Sequence, residues 1–74
     1  MSLSEFVVGQ SGVVKQLNNS PSVKRRLNEL GVIEGVKIEL VRKAPSGDPL
    51  QVKIRDFNLA IRKIEASKIE MEKI

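Results

Sequence analysis

The sequence predicts a small, mainly β fold: a five-stranded antiparallel barrel with one inserted α-helix over about residues 21–30. Three observations carry that expectation. Short apolar runs at period two recur between Val36 and Met71, separated by turn residues. One basic amphipathic stretch stands apart from them and stops at Leu30-Gly31. The chain has 74 residues, which is room for a single domain, residues 1–74, with a single core.

The elements follow in chain order. Gly9 and Gly12 bracket a turn or bulge, and Val13 to Leu17 reads as the first strand. Asn18-Asn19-Ser20 is a loop leading to the helix. Ser20 is placed to cap the first free N–H groups, and Pro21 suits the first helical position, where its missing N–H is not needed. Val23, Leu27 and Leu30 share one helix face, and Lys24, Arg25, Arg26, Asn28 and Glu29 cover the rest. Gly31 is the expected left-handed residue after the helix, with Val32 or Ile33 folding back onto the apolar stripe.

Glu34-Gly35 turns the chain into a second strand, Val36 to Lys43, with Val36, Ile38 and Leu40 inward. The Ala44-Pro45-Ser46-Gly47-Asp48-Pro49 turn follows, then a third strand in which Leu50, Val52 and Ile54 alternate with Gln51, Lys53 and Arg55. Asp56-Phe57-Asn58 is expected to be a hairpin turn. Leu59 and Ile61 then begin a fourth strand, with Ala60 and Arg62 on its other face. One helical turn is expected at Ile64 to Ser67, and a fifth strand at Ile69 and Met71. Barrel closure would leave no strand edge open to wrong pairing.

Composition narrows the function classes. There is no Cys and no His, which removes disulfides, thiolate ligands, the commonest transition-metal ligand and the usual general base. No Gly-rich phosphate loop ends in Lys-Ser/Thr. An enzyme is therefore not expected, no cofactor is implied and no catalytic residue is assigned. The net charge of +4 comes from 13 basic and 9 acidic residues, the ordinary solubility charge of a small domain or a match for an anionic partner. With two Phe and no Tyr or Trp, base stacking has little to work with, so nucleic acid is disfavoured. No apolar run approaches the roughly 20 residues of a membrane span, so direct membrane insertion is not expected. Met1 to Glu5 has no leader character, and a cytoplasmic location is expected.

The candidate surfaces are few. Lys24, Arg25 and Arg26 form a basic cluster on the helix, either a docking face for acidic groups or a solvated face. Ser46, Gly47 and Asp48, before Pro49, form the best-marked loop, either a recognition loop or a turn that sets strand register. Glu70 and Glu72 fall on one strand face, but carboxylates alone suit harder cations than iron, and no metal ligand is assigned. Val41, Ile64 and Ile74 fall out of phase with the inward set and would serve docking or a weak homo-oligomer contact if they cluster. A groove between helix and barrel is a further docking candidate.

The series Arg25-Arg26-Leu27, Leu30-Gly31, Gly35, Val36 to Val41, Ala44 to Leu50, Arg55, Leu59-Ala60-Ile61-Arg62, Glu65-Ala66 and Ile69 resembles the ferrous iron transport protein A family, the FeoA domain. The likeness runs from about Phe6 to Glu72. Glu34 stands where the family often has Pro, and Asp56 where Gly is common. The resemblance implies an SH3-like barrel with its helix between the first two strands. It further implies a non-enzymatic cytosolic protein of ferrous iron uptake. Its partner would be the cytosolic part of a FeoB-type membrane transporter with a GTPase domain. A related domain ends DtxR-type metal-dependent repressors. The alternative is accordingly a regulatory barrel of that kind, or a barrel that associates with nucleic acid; the lack of a preceding helix-turn-helix favours transport.

Overall fold

The computed structural model describes all of residues 1–74. Five strands form one antiparallel sheet: β1 (Ser11–Leu17), β2 (Lys37–Lys43), β3 (Leu50–Ile54), β4 (Phe57–Ile61) and β5 (Ile69–Lys73). Helix α1 (Pro21–Glu29) lies between β1 and β2, and the short α2 (Lys63–Ala66) between β4 and β5. The strand order is β4-β3-β2-β1-β5, with every neighbour antiparallel.

Side chains from all five strands meet in one core. Val14 and Leu17, Ile38 and Leu40, Leu50, Val52 and Ile54, Ile61, and Ile69 and Met71 are buried together with Leu27 of α1 and Ala66 of α2. One sheet can converge on one core in this way only by curling. The curl stops short of a hydrogen-bonded ring, because β4 and β5 are the two ends of the ladder. The expected complete closure is corrected on this point: two edges remain.

Bulges set the inward pattern. Val14 pairs with Met71 and Gln16 with Glu70, which leaves Lys15 as an extra residue in β1. That insertion lets Val14 and Leu17, three apart, both face inward. In β2 the shift between Leu40 and Arg42 leaves Val41 unpaired and outward.

Helix α1 ends as its sequence predicts. Gly31 has φ of +99°. The Val32 N–H donates to the Leu27 carbonyl at 2.9 Å and the Gly31 N–H to that of Asn28 at 3.0 Å. Those two bonds define a Schellman end, and Val32, not Ile33, is the residue that folds back into the core.

Four local expectations are corrected. Leu30 is the C-cap and is exposed, so Leu27 alone of the helix is fully buried, with Val23 packed at the core margin. The Ser20 side chain makes no cap bond; only its carbonyl accepts, from the Lys24 N–H. Gly12 lies in β1, which begins at Ser11. The β3–β4 hairpin turns at Arg55-Asp56, since Ile54 pairs directly with Phe57 and Asn58 pairs with Lys53. The positive φ of that turn, 55°, falls on Arg55 and not on Asp56.

The first residues are part of the fold, which periodicity did not show. Leu3–Glu5 forms one 3₁₀ turn, and Leu3 and Phe6 are completely buried. Ser2 bridges to Glu70, and the Met71 N–H donates to the Met1 carbonyl at 2.8 Å. The N-terminal segment therefore covers the outer edge of β5.

Candidate docking surface

Helix α1 presents Lys24, Arg25 and Arg26 because Leu27 faces the core and Val23 packs at its margin, so the intervening positions turn outward. All three are exposed, but they are not equivalent. Arg26 is ion-paired with Glu65 of α2, whereas Lys24 and Arg25 have no intramolecular ion pair. The free charge of the cluster is therefore Lys24 and Arg25.

Asn19 strengthens the junction of the two helices. Its Nδ2 donates to the main-chain carbonyl of Glu65 at 3.1 Å, which leaves its buried Oδ1 without a partner. Beside it lies a groove of about 220 Å³ lined by Asn19, Ser20, Val23, Ile64, Glu65 and Lys68. Ile64 is 69 % exposed there, a large apolar side chain held open to solvent. This is the helix-side groove that sequence could only name as a candidate. Its residues come from two segments more than forty positions apart, so only the folded chain assembles it.

The Ser46-Gly47-Asp48-Pro49 loop joins β2 to β3. Gly47 has φ of +90°, and the Ser46 hydroxyl donates to the Asp48 carbonyl at 3.1 Å. Asp48 Oδ1 accepts the Lys63 N–H at 2.9 Å, so its carboxylate satisfies a free donor at the start of α2. The loop and the α1 cluster thus both brace α2, one through Asp48 and the other through Arg26.

A second concavity was not foreseen. Gly35, Val36, Lys37, Glu39, Lys53 and Arg55 line about 490 Å³ on the outer side of β2 and β3. Three cations face one carboxylate there, and none of the four is in an ion pair. Cross-strand pairing of Glu39 with Lys53 gathers residues that lie apart in the chain.

Carboxylates do not gather anywhere into a group of three that could hold a metal ion. Glu70 is engaged by the N-terminal ammonium at 2.8 Å. Of the out-of-phase apolar residues, Val41, Ile64 and Ile74 are all exposed, and only Ile64 belongs to the α1–α2 groove. No helix is long and apolar enough to cross a membrane.

The FeoA domain model matches residues 1–73. The chain belongs to the FeoA domain family. A ferrous iron transport protein A–FeoB transporter fusion protein from Porphyromonas gingivalis (strain ATCC BAA-308 / W83) is 35 % identical over all 74 residues. The chain spans 9 % of that relative's length. The FeoA protein of Chlorobium tepidum has the same fold at TM-score 0.95 and 36 % identity, covering all of this chain and 70 % of its own. Stenotrophomonas maltophilia FeoA, described as a prokaryotic SH3 domain protein and solved with zinc, matches at TM-score 0.85 and 33 % identity. That match covers 97 % of this chain and 89 % of the other. The mainly β, SH3-like expectation is thereby met. A manganese-dependent transcriptional repressor shares the fold over 36 % of its chain at TM-score 0.91, and at 14 % identity that likeness is of fold alone. The FeoA family is one of ferrous iron transport.

Proposed function

We propose that this FeoA domain is a non-enzymatic accessory of ferrous iron uptake that binds the cytosolic part of a FeoB-type transporter. The carrying observation is the Porphyromonas gingivalis fusion, in which a segment 35 % identical to the whole chain belongs to one polypeptide with such a transporter. Covalent linkage supplies a high effective concentration to partners that otherwise meet by diffusion. The absence of His and Cys and of a nucleophile–base pair supports action by binding.

The docking surface is the α1–α2 groove with Lys24 and Arg25 on its helix. Val23 and Ile64 supply apolar contact, and the two free cations favour an acidic partner surface. Asp48, in a loop that the Ser46 hydroxyl helps to close beside Gly47, supports this surface by holding the start of α2. A binder of this kind alters transport only through different affinities for two states of the transporter.

Titration calorimetry with the purified cytosolic domain of the cognate transporter tests the proposal. Micromolar binding is expected. The Lys24→Glu/Arg25→Glu pair should weaken it at least about tenfold, equivalent to about 1.4 kcal/mol. No heat at micromolar concentrations of both, in either nucleotide state, overturns it.

A further inference from the structure

The two edges of the sheet are treated differently by the fold. The outer side of β5 is occupied by Met1 and Ser2. On its outer side β4 has no strand neighbour, since β3 alone pairs with it, and at its start the Phe57 ring lies beside Gly31. In the β3–β4 ladder the alternation of paired groups runs from Ile54–Phe57, so the N–H and C=O of Asn58 and Ala60 point away from β3. Neither residue makes another main-chain bond across the remaining turns, loops and caps. Both are exposed, and Phe57 beside them is 44 % exposed. The usual guards of an edge, an inward charge, a Lys or a Pro, are missing from Phe57-Asn58-Leu59-Ala60-Ile61.

We propose that this edge pairs with the same edge of a second copy of the chain, forming a two-fold dimer with one continuous sheet through both protomers. The occupant follows from charge and register. Antiparallel pairing that sets Asn58 opposite Ala60 of the second copy joins the outward groups of both strands through about four main-chain hydrogen bonds. The same register sets Leu59 opposite its own copy and brings Asp56, just before the strand, near Arg62 of the second copy, just after it. Asp56 and Arg62 are exposed and without an intramolecular ion pair, and the two-fold axis makes the contact twice. A five-residue strand covers far less than the roughly 1,200 Å² of a standard interface, so the dimer is weak.

Sedimentation equilibrium of the full chain from about 10 μM to 1 mM reads this directly. A monomer–dimer equilibrium is expected in the upper part of that range. Asp56→Arg should raise the dissociation constant at least about fivefold, and Asp56→Arg with Arg62→Asp should restore it, because only that register exchanges the two charges. Ala60→Pro, which removes an outward N–H, should abolish association; circular dichroism of each variant confirms that it is folded. The NMR amide signals of Asn58 and Ala60 should shift with protein concentration. A chain that is monomeric throughout overturns the proposal, as does a folded Ala60→Pro variant that dimerises normally. Shifts of those amides only on adding the transporter's cytosolic domain likewise overturn it and assign the edge to that partner.

Discussion

Gly12 of β1 lies directly against the ring of Phe6. A Cβ built on Gly12 would stand 2.7 Å from the ring Cζ and 2.8 Å from the Glu72 carbonyl oxygen. The ring is completely buried and the oxygen belongs to the main chain of β5, so neither neighbour yields cheaply. This contact lets the N-terminal segment lie close over the sheet. Gly12→Ala should destabilise the fold by about 1–3 kcal/mol, the usual range for overpacking. Urea unfolding followed by circular dichroism checks it, and an unchanged midpoint would refute the close approach.

Arg55 occupies the left-handed region at φ 55° in the two-residue β3–β4 turn. That conformation costs a residue with a Cβ about 1–2 kcal/mol. Glycine avoids most of this cost but loses more freedom on folding, about 0.5–1 kcal/mol. Arg55→Gly should therefore stabilise the protein by up to about 1 kcal/mol, seen as a higher urea midpoint at constant m-value. The same variant also removes one charge from the basic concavity.

Arg26 and Glu65 join α1 to α2 across a partly exposed ion pair, with side-chain exposures of 52 % and 13 %. Such pairs contribute about 0–1 kcal/mol once solvent and salt screen them. Glu65→Gln should cost no more than that, and the cost should shrink as salt rises. The larger consequence is a third free cation on α1. Binding to an acidic partner surface should become more salt-dependent, as calorimetry at two ionic strengths would show.

Glu5 carries the pH dependence that the structure makes visible. The Ser2 main-chain N–H donates to its carboxylate at 2.7 Å. That bond first, and the Ser2 side chain second, hold its carboxyl below the ordinary glutamate range. A depressed value in the folded state means a stabilising contribution that is complete above the unfolded value, about 4.3. It is lost as pH falls from there through the folded value. Glu5→Gln should lower the melting temperature by a constant small amount at pH 6–8, and that difference should vanish at lower pH. A difference that persists unchanged to pH 2 would contradict the assignment.

The helix was legible because its signals are local. Pro21, the Leu27 stripe, Gly31 and a following apolar residue fix its start, its buried face and its end within a dozen positions. The strands were legible for the same reason: Ile38 and Leu40, or Leu50, Val52 and Ile54, show period two over a single element. Where local signals conflict, tertiary pairing decides. Asp56-Phe57-Asn58 has turn chemistry, yet the ladder places Phe57 opposite Ile54 and moves the turn onto Arg55-Asp56. Leu30 has the right spacing for the core, yet the Schellman end turns the chain there and Val32 takes the buried place.

Taken alone, the residue order settled the fold class, the family likeness and the lack of His and Cys, all of which depend on spacing and composition. The folded chain decided which surfaces exist. Pairing across the sheet and between the helices brought Ile64 beside Val23, tied Arg26 to Glu65, set Asp48 on α2 and left β4 without a second strand beside it while Met1 and Ser2 lie along β5. These are contacts between residues far apart in the chain, and a periodicity of two or 3.6 carries no information about such neighbours.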